Sequence, residues 1–227
     1  MAEKHDRSAV LAHRRFSTIA DALKDSDLRD RFTMIHEHNL WGSGHSISGL
    51  GSEMEATKAV REALPGVFKQ FGIRTLLDAP CGDASWIRSA DLKLDRYIGI
   101  DIVPSLIEDL SASARAHERF VVADITCDHL PQSDAVLCRD CLVHLSFENI
   151  YQALVNFRSS GARWLLTTTF PELVSNVDCE DGDWRGLNFQ QLPFAWPAPL
   201  MTLSENCTEG DGSWSDKSLA VWDLTAL

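Results

Sequence analysis

The 227-residue sequence predicts an α/β fold: a doubly wound, mostly parallel sheet of seven strands with an antiparallel C-terminal strand, preceded by helices. Three observations predict it. From Ile73 onward, short runs of β-formers alternate with stretches of helical period. The first run, "IRTLLDA", is apolar on both faces, as a buried parallel strand is. The last quarter drops the alternation and offers two β-runs around a Gly-rich turn, which suits an antiparallel pair.

The elements follow in order. Val10, Leu11, Ala12, Phe16, Ile19, Ala20 and Leu23 recur at helical spacing with charges between them. A second short helix is expected over Ser26 to Ile35, with Leu28, Phe32 and Ile35 on one face. A long Gly/Ser loop, "HEHNLWGSGHSISGLGSE", comes next. It ends in Ser52-Glu-Met-Glu55, the pattern of a capping box for a helix reaching about Lys69. Residues 1–50 thus read as helices with a lid loop, and residues 51–227 as the α/β domain. Strands are expected at Ile73 to Ala79, Tyr97 to Ile102, Arg119 to Ile125, Ala135 to Asp140 and Arg163 to Phe170. "PSLIEDLSASARAH" and "SFENIYQALVNFRSS" are the helices between them. The stretch from Val174 to Pro199 has three prolines and no helical period, so a loop is expected there. "LMTLSENC" and "KSLAVWDLT" then flank the turn "TEGDGSWSD".

Composition narrows the partners. The net charge is −12, whereas a duplex nucleic-acid binder carries a basic footprint. The cluster His13 to Arg15 reads as the solvated face of a helix. Nucleic-acid and anionic-membrane partners are therefore disfavoured. The N-terminus has no apolar core of a secretory signal, and no apolar run approaches the roughly 20 residues of a spanning helix. A cytoplasmic protein is expected, either monomer or homodimer. The cysteines, Cys81, Cys127, Cys138, Cys141, Cys179 and Cys207, form no disulfide framework, so reduced thiols are expected. Cys138-Arg-Asp-Cys141 has CxxC spacing, but no second pair stands where a zinc site needs one.

In an open α/β sheet, ligands bind outside the carboxyl ends of the strands, where strand order reverses. Here the first strand ends at Asp78, and the tight turn after it holds Gly82. About 20 residues further on, Asp101 ends the second strand, where a carboxylate can accept the two hydroxyls of a ribose. A dinucleotide would call for G-x-G-x-x-G to seat its pyrophosphate. This chain has D-A-P-C-G-D: Pro80 removes an amide donor, and Asp83 adds negative charge where phosphates would lie. A cationic, phosphate-free nucleoside, S-adenosylmethionine, suits that turn.

From about Gly51 to the C-terminus the chain resembles class I S-adenosylmethionine-dependent methyltransferases. The resemblance rests on "LLDAPCGD", "YIGIDI", "VVADI" and "VLCRDCLVHL", in order and at the expected spacing. The whole chain, "WGSGHSISGLGSE" included, is similar to a bacterial subgroup with a D-x-P-C-G-D first motif. The resemblance implies a Rossmann-like fold and a set of roles. Asp78, Pro80 and Gly82 would lie against the methionine part of the cofactor. Asp101 would hold the ribose, with Ile102 on the adenine. Asp124 would accept the adenine amino group, Ile125 would face the ring from the other side, and Arg139 would sit near the amino-acid end. The chain departs from the family around Pro80 and Cys81, where a second glycine is usual, and after the fifth strand, where a helix is usual.

Methyl transfer is an in-line displacement at a sulfonium, so the protein mainly supplies proximity and orientation. An acceptor hydroxyl or protonated amine also needs a base. His144, shortly after the fourth strand, suits that role by position and ordinary pKa. Asp140 is a second candidate, as base, as the group that orients His144, or as a simple cap. His36, His38 and His45 invite a metal reading, but a Gly/Ser loop does not enforce three converging ligands, and no metal is expected. That loop reads instead as a lid, with Trp41 as an apolar wall over the cofactor. The acceptor-side wall is expected from His45, Asp183, Trp184, Arg185 and Asn188, with Glu205 and the "CTEGDGSW" turn beside it. The leading expectation is methylation of a polar metabolite or sugar, at oxygen rather than nitrogen. A protein or peptide acceptor, a non-catalytic S-adenosylmethionine or S-adenosylhomocysteine-binding module, and a nicotinamide oxidoreductase are the alternatives.

Overall fold

The computed structural model describes residues 7–42, 44 and 46–227. Seven strands form one sheet: β1 (Thr75–Asp78), β2 (Arg96–Asp101), β3 (Glu118–Val122), β4 (Ala135–Cys138), β5 (Trp164–Thr169), β6 (Met201–Ser204) and β7 (Ser218–Asp223). Their spatial order is β3-β2-β1-β4-β5-β7-β6. The first five pair in parallel, and β7 runs antiparallel to both β5 and β6. This is the doubly wound, Rossmann-like sheet with an antiparallel C-terminal strand that the sequence predicts. Strand order reverses between β1 and β4, so a crevice opens at their carboxyl ends.

Alternation along the strands builds a core on each face, because successive side chains point to opposite sides. Leu77, Val136, Leu165 and Ala220 face one core, where Ile150, Ala153, Leu154 and Phe157 of helix Phe147–Ser159 pack. Leu76, Leu137, Leu166 and Val221 face the other, against helices Lys58–Phe71 and Pro104–Ala112. The chain between β5 and β6 contains no helix. There Leu187, Phe189, Phe194 and Trp196 cover the sheet directly, with Phe189 stacked on Trp196 at 4.2 Å and 14°. Each such large side chain contributes about 1.5–3 kcal/mol on full burial, which is how a proline-rich loop replaces the missing helix.

The N-terminal third differs from expectation in two places. The first helix is broken into α1 (Leu11–Phe16) and α2 (Ala20–Leu23), ahead of α3 (Leu28–Glu37). At the break, the Ser17 hydroxyl donates to His13 O and the Thr18 hydroxyl to Arg15 O, bonds that compete with the helical ladder. The helix expected from Ser52 begins only at Lys58, as α4 (Lys58–Phe71), followed by α5 (Pro104–Ala112) and α6 (Phe147–Ser159). Ser52 closes a 3-10 turn, Leu50–Ser52, and its hydroxyl donates to Ser48 O, so the capping box is not formed. Among the described residues, no helix is long and apolar enough to cross a membrane.

Candidate active site

A cleft of about 970 Å³, open solvent at its mouth included, lies at the carboxyl ends of β1, β2 and β4. The strand ends place Asp78, Asp101, Ile102 and Arg139 in it, and the turns after β1 and β3 add Pro80, Gly82, Asp124 and Ile125. Trp41 closes it from the N-terminal side, together with Asp140 and His144. All the residues that the resemblance assigns to the cofactor therefore share one cavity.

Its floor is acidic and buried. Burial pushes Asp78 up to about 7, against the Tyr97 hydroxyl that donates to it at 2.6 Å. Burial likewise pushes Asp101 up to about 6, against the amides of Val103 (3.0 Å) and Gly82 (3.1 Å). Gly82 sits at φ +51, where a Cβ would overlap the Ser48 hydroxyl. The Asp83 amide donates to that same hydroxyl at 2.8 Å, and the Ser46 hydroxyl donates to Asp83 Oδ2 at 2.6 Å. The strap 46–52 is thereby fastened onto the first turn. The turn's amides are engaged by the protein itself, which leaves them unavailable to a pyrophosphate. On Asp124, Oδ1 accepts from the amide and hydroxyl of Thr126, which orients the carboxylate.

His144 is buried beside Trp41, ring centroids 4.8 Å apart. Its Nδ1 lies 2.7 Å from the carbonyl oxygen of Asp183. A carbonyl only accepts, so Nδ1 carries the proton and Nε2 keeps a lone pair. Burial holds the imidazole down at about 4, so it is neutral near pH 7. Asp140 differs from expectation. Against burial, Lys217 Nζ at 2.6 Å and Arg139 Nη1 at 3.2 Å hold its carboxyl well below the usual range. That makes it a poor base, and among the described residues it makes no hydrogen bond to His144. The orienting group is the Asp183 carbonyl. Asp140 instead occupies a left-handed backbone position, φ +53, held by its amide on Thr168 Oγ1 at 2.8 Å.

A second cavity, about 580 Å³, adjoins the first and shares Trp41, Ser48, Asp140 and His144 with it. Trp184, Trp214 and Phe170 form an edge-to-face aromatic wall there, with Trp184 and Trp214 at 4.6 Å. Asp140, Glu209 and Lys217 supply its charge. Of the expected acceptor wall, Trp184 joins among the described residues, and so do Cys207, Glu209 and Trp214 of the "CTEGDGSW" turn, whereas Asp183, Arg185 and Asn188 do not. Asp183 turns its carboxylate to His13 Nδ1 (2.8 Å) and to the Trp184 amide (2.7 Å). Arg185 is buried and donates to the carbonyls of Leu142 (2.7 Å), Leu145 and Val177, so it fastens the loop rather than gripping an anion. Asn188 is buried as well, donating to Pro171 O and Leu173 O. His45 lies outside the described residues. His36 lines the larger cleft and His38 pairs with Met34 O, and no metal-binding cluster forms among the described residues.

Sequence reasoning missed Lys217. It bridges Asp140 and Glu205, at 2.6 and 3.5 Å, while Glu205 takes both Nε and Nη2 of Arg139, at 3.1 and 2.6 Å. The lysine opens a β-run that is legible as such, but its partner is 77 positions away and no spacing rule reaches that far.

No family model matches the sequence, and no curated protein does. Solved structures match its fold. The 1,6-didemethyltoxoflavin-N1-methyltransferase of Burkholderia thailandensis, solved with 1,6-didemethyltoxoflavin and S-adenosylhomocysteine, has a TM-score of 0.62 at 14% identity over 95% of this chain and 92% of its own. Human N-acetylserotonin methyltransferase, solved with S-adenosylmethionine, has 0.59 at 11% identity over 92% and 66%. The N-methyltransferase NodS of Bradyrhizobium japonicum, solved with S-adenosylhomocysteine, has 0.51 at 14% identity over 62% and 74%. At such identities the shared property is the fold.

Proposed function

We propose that the protein is an S-adenosylmethionine-dependent methyltransferase acting on a polar small molecule, at oxygen in preference to nitrogen. The observation that carries this reading is the row of carboxylates, Asp78, Asp101 and Asp124, along one cleft at the switch point of the sheet. The engaged amides of the first turn favour a ligand without phosphate, and the buried acids favour one with positive charge.

In this reading Asp101 accepts the ribose hydroxyls, Asp124 the adenine amino group, and Ile102 and Ile125 sandwich the base. Asp78 faces the cationic methionine end. S-adenosylmethionine supplies a methyl group on a cationic sulfur that leaves as a neutral thioether. His144 Nε2 takes the acceptor's proton, and the Asp183 carbonyl holds the ring for it. Held down at about 4 by burial, the imidazole is a weaker base than an ordinary one, which puts its contribution at the low end of the about 10²–10⁴-fold range of such groups. Trp41 and the strap 46–52 exclude water, so residues 1–50 serve as a cover for the domain 51–227.

Calorimetry tests the reading. S-adenosylhomocysteine is expected to bind, NAD(H) not, and Asp101→Ala to weaken the former. Labelled methyl must then move from the cofactor into a metabolite pool. Heat from NAD(H) and none from S-adenosylhomocysteine would sink the proposal.

A further inference from the structure

The second cavity carries information about its occupant. In and around it, Arg139 and Lys217 face three carboxylates, Asp140, Glu205 and Glu209, while Arg7, 4.8 Å over the Trp214 ring, is paired with Asp216. Four of these charges are tied into one ion-pair network. Lys217 lines the cavity, but two carboxylates within 3.5 Å already compensate it. Glu209 is the surplus charge. It lines the cavity, and among the described residues no hydrogen bond or ion pair engages its side chain. Burial pushes its carboxyl up, only partly offset by Lys217. Beside it stand the faces and edges of Trp184 and Trp214. A lone acid next to tryptophan rings is the chemistry that holds an organic cation. The chain's net charge of −12 draws cations toward it.

We infer that the acceptor is an aromatic amine-bearing molecule whose protonated amine is the counter-ion of Glu209 and whose flat body packs against the edge-to-face pair of Trp184 and Trp214. Only the word acceptor rests on the methyltransferase reading; the site itself does not. Lys217 does not select an anion here, because its charge is balanced from the protein side. The shared wall of Trp41 and His144 then places the other end of the molecule next to the larger cleft.

Three indoles test this: tryptamine (cationic), 3-ethylindole (neutral) and indole-3-acetate (anionic). Each is titrated calorimetrically into the full chain near neutral pH, with and without saturating S-adenosylhomocysteine. Tryptamine is expected to bind about ten-fold or more tighter than the other two. Glu209→Gln is expected to erase most of that preference while leaving the thermal midpoint and S-adenosylhomocysteine affinity unchanged. Should that variant not fold, salt dependence in the wild type decides: it must weaken tryptamine and leave 3-ethylindole alone. Indole-3-acetate binding as tightly as tryptamine, equal affinity for all three, a preference that survives Glu209→Gln, or no binding of tryptamine at its solubility limit overturns the inference. If S-adenosylhomocysteine fails to bind but the tryptamine preference holds, the methyltransferase reading falls and this one stands.

Discussion

A cation entering the larger cleft is expected to expel protons. Burial in the cleft holds Asp78 at about 7 and Asp101 at about 6. A nearby positive charge favours the ionised carboxylates, so binding a cationic nucleoside shifts both groups down. Full ionisation in the complex would release about 1.4 protons at pH 6, about 0.6 at pH 7 and about 0.1 at pH 8. Affinity then rises roughly twenty-fold from pH 6 to pH 8 through these two groups. His144, held at about 4, stays neutral across that window and contributes nothing to it. The assay is calorimetry in two buffers of different ionisation enthalpy, corrected for the ligand's own titration. Asp78→Asn should remove the larger share of the release. Identical binding enthalpies in both buffers at pH 6, together with a flat affinity profile, would refute the electrostatic argument for a cationic ligand.

Other expectations follow from single contacts. His144→Asn keeps a donor for the Asp183 carbonyl but loses the Nε2 lone pair, so turnover should fall about 10²-fold, the low end for a general base because burial holds the imidazole at about 4, with cofactor affinity retained. The same variant reports on stability. A histidine lowered from 6.5 to about 4 stabilises the fold above its unfolded pKa and loses that contribution as pH falls from 6.5 to 4. Urea titrations should therefore show the variant less acid-sensitive than wild type in that window, by up to about 3 kcal/mol. Gly82→Ala places a side chain at φ +51 and against Ser48, costing roughly 1–2 kcal/mol for the backbone alone. It should also loosen the strap and weaken S-adenosylhomocysteine; unchanged affinity would show that strap and turn are not coupled. Glu205→Gln strips Arg139 of its buried bidentate partner and should destabilise by about 3–5 kcal/mol in denaturant melts.

The sheet, and the residues that line the cleft at its strand ends, were legible because they obey short-range rules. Strands end where apolar runs end, and Asp78, Asp101 and Arg139 stand within one position of those ends. Helix breaks were less legible, since Ser17 and Thr18 act through hydroxyl bonds that compete with a sound apolar period. The late loop misled more. Arg185 and Asn188 look like ligand contacts by residue type, yet a loop that replaces a helix needs donors for buried main-chain carbonyls, and these side chains provide them. Asp140 misled for the opposite reason: its position suited a base, while the cation that disqualifies it comes from the start of the last strand.

The two cavities also differ in when a growing chain can make them. Every residue lining the larger one has left the ribosome once Leu145 has. The smaller one needs Val10 from the start of the chain and residues 207–217 from its end. Its roof is sewn by Arg7 to Asp216 and by the Trp214 indole to Ser8 O, contacts spanning 209 and 206 positions. Loops of that length close late. A nascent chain thus carries every residue of the cleft at the strand ends before it carries those of the second cavity.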